Sequence, residues 1–237
     1  MPGLRSLVCR KGERVGMRFS RWLLTLFITI SVFAGSVVAY ASVRRAEVLR
    51  KVAQSTVVIF AERSGKLVQG SGTVLGKYGE WYFIVTCNHV IEGASRIVVA
   101  PTKHDEDLLP AFVEMAYPSN DLALLVVKDL ALPVLSVAPR EPQPYETVYA
   151  VGAPHTLPGT ASEGIVADAH YELDKTWFYR ITNAYIDSGI SGGTATNVDG
   201  EFIGVPAQRF TFSTQVGLLV PRALVLEAFG PYLKVYP

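Results

Sequence analysis

The chain has 237 residues, of which 49% are hydrophobic and 18% charged, with a formal net charge of +1. This composition excludes a disordered chain, and the balanced charge implies no nucleic-acid partner and no strongly acidic one. The 2 cysteines, Cys9 before the first apolar run and Cys87 in the body of the chain, give no disulfide framework.

Residues 22–39 form an apolar run with no charge. Arg5, Arg10, Lys11, Arg14, Arg18 and Arg21 precede it, against the single acid Glu13. A basic flank before such a run is a membrane-targeting signal, with its N-terminus in the cytoplasm. Two fates stay open. The segment is retained as a single-span anchor, or it is cleaved at the small-x-small site Ala39-Tyr40-Ala41, before Ser42. Read from Met17, the segment has ordinary signal-peptide dimensions, so Met17 is a candidate start. Either way the body of the protein is expected outside the cytoplasm, periplasmic or otherwise extracytoplasmic, with residues 22–39 as its membrane contact if uncleaved. Residues 42–53 carry Arg44, Arg45, Glu47, Arg50 and Lys51, and read as a linker or short amphipathic helix.

Strand signals then dominate. They fall at Thr56–Phe60, Gly70–Leu75, Trp81–Thr86, Arg96–Ala100, Ala111–Ala116 and Leu122–Val127 in the first half. In the second half they fall at Thr147–Val151, Ala161–Asp168, Phe178–Thr182, Glu201–Val205 and Gly217–Val220. Turns are expected at Ser64–Lys66 and Gly76–Gly79. Short strands at this spacing, with 20 Gly and 14 Pro, predict an all-β sandwich or barrel. The Pro-rich stretch from Pro133 to Pro144 reads as a linker between halves. Residues 221–229 predict a closing helix, with Pro221 at its start and Gly230 ending it.

Chemistry concentrates at Asp187-Ser188-Gly189-Ile190-Ser191-Gly192-Gly193. A serine between glycines can present its hydroxyl where backbone N–H groups converge, which suits acyl transfer. A Gly/Ser turn between strands would look the same, so the rest of the constellation decides. A serine nucleophile needs a base, and the base needs an orienting carboxylate. His89, in Thr86-Cys87-Asn88-His89-Val90, follows a strand. His104 lies in a charged loop, His155 in another loop, and His170 near a strand end. Asp121 opens the apolar strand Leu122–Val127, where it can meet an imidazole. The chain order is then His89, Asp121, Ser191. Cys87 reads as a packed thiol, not the nucleophile.

The motifs resemble the trypsin-like serine proteases, in particular the HtrA/Deg group. The resemblance rests on Gly70-Ser71-Gly72-Thr73-Val74-Leu75, the histidine segment Thr86–Ala94, and Asp121-Leu122-Ala123-Leu124-Leu125. It continues through Val151-Gly152-Ala153-Pro154, Gly164-Ile165-Val166, Thr182–Gly193, Gly200–Val205 and Gly217–Pro221, so it covers roughly residues 54–230. It implies a chymotrypsin-like double β-barrel, with barrels over about 54–135 and 145–220, an N-terminal transmembrane or signal helix and a short C-terminal helix.

It also implies a serine endopeptidase acting on protein or peptide substrates without metal or cofactor. Its catalytic residues would be His89, Asp121 and Ser191, with the backbone N–H groups of Gly189 and Ser191 as oxyanion hole. Substrate would pair with the strand through Pro206-Ala207-Gln208. Tyr185, Ile186 and Arg209 are candidate walls of the primary specificity pocket, and the absence of an acid at 185 argues against a Lys/Arg preference. Two positions depart from the family: Ile190 replaces its usual Asn, and Thr194 its Pro or Ala. Ile190 cannot ion-pair with a new N-terminal amine, so zymogen activation of that kind is not expected. No sequence follows Pro237 for a PDZ domain, so peptide-regulated assembly is not expected either. Two rival readings are a catalytically weak binding or chaperone-like module at the membrane, and a precursor-processing protease.

Overall fold

The computed structural model describes residues 13–101, 108–154, 157, 159–173, 175–209 and 215–233, so His104 and His155 lie outside the described residues. The chain parts into two units, one ending at Ala46 and one spanning Glu47–Pro237.

In the first unit, helix α1 (Glu13–Gln54) carries the apolar run. Its described side chains there are exposed, with Trp22 77% and Phe33 73% accessible. Residues 22–39 rise ~27 Å as a helix, close to the ~30 Å of a bilayer's hydrocarbon. The helix from Trp22 is long and apolar enough to cross a membrane. Residues 42–53 are helical throughout, the amphipathic form of the expected linker. In the second unit the last turns of α1 belong to the core, where Val52 is fully buried.

Twelve named strands among the described residues follow. β1 (Thr56–Arg63), β2 (Lys66–Tyr78), β3 (Trp81–Thr86), β4 (Arg96–Pro101), β5 (Leu109–Tyr117) and β6 (Leu122–Lys128) close one barrel in the order β1-β2-β3-β6-β5-β4. β7 (Thr147–Gly152), β8 (Thr160–Leu173), β9 (Thr176–Thr182), β10 (Thr194–Thr196), β11 (Phe202–Arg209) and β12 (Val216–Pro221) close the second, in the order β10-β11-β12-β9-β8-β7. The expected chymotrypsin-like double barrel is the fold observed. Closure leaves inward side chains such as Ile59, Ile84 and Leu124 dry. A four-residue helix α2 (Asn88–Ile91) follows β3, and α3 (Arg222–Leu233) ends the described fold.

Two local expectations are corrected, the turn and the closing helix, and the linker gains detail. β2 runs unbroken through Gly76, absorbing it with a bulge between Val74 and Gly76, so the turn comes at Gly79 instead. The Pro-rich stretch is docked, not free. Leu135 is buried, its N–H donates to Val74 O, and the N–H groups of Ala138 and Phe202 bond Phe202 O and Ser136 O. The closing helix continues past Gly230 and Pro231 to Leu233. Burial of Phe229 and Leu233, with Tyr232 against Phe83 at 5.5 Å, offsets the helix-breaking tendency of the Gly-Pro pair. β10, with the three buried residues Thr194, Ala195 and Thr196, is too short for a pattern of period 2 to announce it.

Candidate active site

The base side of the site grows from neighbouring strands. β3 and β6 pair through Thr86↔Ala123, which brings the end of one beside the start of the other. Asn88 N–H donates to Asp121 O at 3.1 Å, His89 N–H donates to Asp121 Oδ1 at 2.9 Å, and His89 Nδ1 meets Asp121 Oδ2 at 2.7 Å. Asp121 takes a left-handed backbone, φ 51°, after the turn Pro118–Asn120, a conformation Asp tolerates better than most residues. A carboxylate accepts only, so Nδ1 carries the proton and Nε2 is left as the basic nitrogen. Arg63 reaches across from β1 and donates to His89 O at 3.0 Å.

The nucleophile side is a loop whose peptide groups are held almost one by one. Gly189 O accepts from Ser71 Oγ at 2.6 Å, and Ile190 N–H donates to Asp187 O at 3.0 Å. Gly193 N–H donates to Ile190 O, Ser71 N–H to Ser191 O at 2.9 Å, and Gly192 N–H to Pro206 O. Thr73 Oγ1 donates to Gly193 O at 3.1 Å. Two N–H groups find no acceptor among the described residues: those of Gly189 and Ser191. A pair of free donors beside a serine hydroxyl can bind a developing oxyanion. Gly189, at φ +95°, and Gly192, at φ +81°, must be glycine. A Cβ on the first would strike Ala153 O, and on the second Thr86 Oγ1 and Ser71 O.

Ile190 does not disturb this loop. Its side chain is fully buried with Val148, Ala150, Ile186 and Ala195 in the second-barrel core. Thr194 joins a buried hydroxyl chain, 2.7 Å from both Thr56 Oγ1 and Thr73 Oγ1.

Ser191 Oγ donates to Ala207 O at 3.4 Å, and no hydrogen bond joins it to His89. His89, Asp121, Phe178 and Ala207 line a cleft of ≈ 370 Å³ between the barrels. The three sequence candidates therefore border one region, with the His–Asp pair formed and the Ser–His contact unformed.

Tyr185 turns its hydroxyl to Asp187 Oδ2 at 2.7 Å, Ile186 packs in the second-barrel core, and the Arg209 side chain lies outside the described residues. Phe178, a wall of the cleft, was not singled out from sequence, since nothing separates it from any other strand aromatic. His170 stacks on Trp177 at 4.9 Å and lies near Glu172.

Cys87, His89 and Asp121 also hold one donor atom each within 4.8 Å of one another, as a metal site would. The imidazole and carboxylate use those atoms on each other, and the buried thiol donates to Pro206 O at 3.4 Å. Burial, reinforced by the Asp121 charge, pushes the Cys87 thiol pKa well up, so it stays protonated. The set reads as an acid–base pair beside a packed thiol.

The chain is similar to known serine proteases. A DegP-like periplasmic serine endoprotease of Chlamydia pneumoniae is 35% identical over 147 residues, covering 60% of this chain and 29% of that protein. Serine protease HTRA1 of Xenopus tropicalis is 32% identical over 181 residues, covering 70% of this chain and 38% of that protein. The chain thus spans about a third of the length of these relatives. The solved serine endoprotease of Yersinia pestis superposes with a TM-score of 0.68 at 27% identity, covering 80% of this chain and 66% of that one. Residues 70–205, more than half of the 237, match the sequence pattern of the trypsin-like peptidase domain, and the chain belongs to that family.

Proposed function

We propose that the chain is a serine endopeptidase that hydrolyses protein or peptide substrates through His89, Asp121 and Ser191. Ser191 Oγ attacks the scissile carbonyl carbon while His89 Nε2 takes its proton. Asp121 holds the tautomer and stabilises the imidazolium. The N–H groups of Gly189 and Ser191 bind the oxyanion. The C–N bond then breaks, and His89 returns the proton to the leaving amine. Water, activated by the same histidine, releases the acyl group. β10 pairs with β11 only as far as Gly204, leaving the strand through Ala207 with an edge for substrate backbone to join.

The observation that carries the reading is the 2.7 Å His89–Asp121 pair, facing a serine loop with two N–H groups free. The chain is exported and acts outside the cytoplasm, either tethered by residues 22–39 or released by cleavage near Ala41. The apolar helix and the periplasmic relatives support this placement.

The test is fluorophosphonate labelling of the full chain in detergent. Labelling that vanishes in Ser191→Ala and falls in His89→Ala is the expected result. A second reading, a catalytically weak binding module on the same fold, is favoured by one feature: Ser191 Oγ points at Ala207 O. A folded wild type that takes no label, and cleaves no unfolded protein, establishes that second reading instead.

A further inference from the structure

We infer that Ser71 is a positioning residue for catalysis: its hydroxyl is the clamp that holds the oxyanion loop in working shape. The inference rests on the serine-peptidase reading above.

Ser71 is fully buried on β2 of the first barrel, and its polar atoms all serve the site. Its N–H donates to Ser191 O, and its carbonyl accepts from Thr86 Oγ1 at 2.7 Å, just before the His89 helix. Ala153 N–H donates to its Oγ at 3.0 Å. An amide N–H can only donate, so the single hydroxyl proton goes to Gly189 O, at 2.6 Å. The direction of the clamp is therefore fixed by elimination. One hydroxyl joins β2, the end of the second barrel's first strand and the nucleophile loop.

The consequence follows from the peptide planes. Ser71 holds the carbonyl of the Gly189–Ile190 peptide, and Asp187 O holds its N–H. With that plane pinned at both ends and Gly189 at φ +95°, the preceding N–H, the first oxyanion donor, has its direction set. Residue 190 offers no polar alternative, because Ile190 is buried in the apolar core. Side-chain control of the Gly189 carbonyl therefore comes from a hydroxyl on the other barrel. Gln69 adds to it by donating to Ala153 O at 2.6 Å, steadying the strand end against which Ser71 pulls.

The experiment compares Ser71→Ala with wild type, full chain in detergent. It measures kcat and KM on a peptide substrate, affinity for a peptide boronic acid, and melting temperature. Ser71→Ala should lower kcat about 100-fold with KM within about 2-fold. Boronate affinity should fall in parallel, since the boronate borrows the same donors. A folded Ser71→Ala with wild-type kcat, or with reduced kcat and unchanged boronate affinity, overturns the clamp. If Ser71→Ala does not fold, Ser71→Cys replaces a strong donor by a weak one. An intermediate kcat is then expected, and a wild-type kcat overturns the inference. Amide hydrogen exchange over residues 187–193 reads the clamp without turnover. Faster exchange in the serine variant supports it, and unchanged exchange refutes it. An inert wild type would fail the proposed function, yet this exchange readout would still decide on Ser71.

Discussion

The two sides of the site are finished to different degrees. His89 and Asp121 sit just beyond the ends of two paired strands of one barrel, His89 after β3 and Asp121 before β6, and meet in a hydrogen bond of 2.7 Å. Ser191 sits on a loop of the other barrel. Its backbone is fixed by Ser71, Thr73 and Pro206, while its hydroxyl turns to Ala207 O at 3.4 Å. Strand register settles the first contact. The second is not formed, since the Ser191 hydroxyl bonds Ala207 O instead. Such contacts are often loose without substrate and tighten when one binds. On the proposed reading, preorganisation lies in the loop backbone and in the His89–Asp121 pair, and the Ser191–His89 contact is left to be made.

The harshest break removes the hydroxyl itself. Ser191→Ala should lower turnover by about 10⁶-fold, measured on an unfolded protein substrate, with little change in melting temperature. Asp121→Asn attacks the finished side. It should lower kcat by about 10⁴-fold, because an amide can hold the imidazole in the wrong tautomer. Gly189→Ala attacks the backbone of the unfinished side, where a Cβ would strike Ala153 O at a positive φ. A fall in kcat of about 100–1,000-fold is expected, with fluorophosphonate labelling slowed to match. Ile190→Val sharpens the comparison by trimming only packing. Urea denaturation should show a loss of roughly 0.5–1.5 kcal/mol, with kcat near wild type.

The smallest effect is a control far from catalysis. Hydrogen bonds from the Arg140 side chain and from the Gln143 N–H hold the Glu146 carboxyl below its usual range. A depressed folded-state pKa gives stability that is complete above the unfolded carboxylate pKa and lost as pH falls through the folded value. Glu146→Gln should therefore lower the urea midpoint slightly at pH 7 and match wild type below that folded value. The pair is exposed, so the difference is small.

Much of this was legible in sequence because it is local or repetitive. Trp81–Thr86 and Leu122–Val127 announce themselves as strands, and they carry His89 and Asp121 at their ends. The Ser191 loop is written in its glycines. Ser71 stands in the Gly70–Leu75 motif, yet its contacts were not legible there, since the hydroxyl's partners lie at positions 153 and 189 in sequence. The place of Ile190 was not legible for a related reason. Whether an apolar side chain disrupts or anchors a turn depends on the hollow beneath it, here one built from β7, β10 and the strands around them. Gly230-Pro231 looked like a helix end until the burial of Leu233 outweighed local propensity.

Cys87 has a consequence outside catalysis. An exposed free thiol in an oxidising compartment, where the proposed export would place this chain, ordinarily becomes a mixed disulfide, a sulfenic acid or a cross-link to a second chain. This sulfur has no exposed surface, and burial keeps its proton on, so neither the reagent's approach nor the reactive thiolate is supplied. A sulfur two residues from His89 is therefore shielded from peroxide and from thiol exchange.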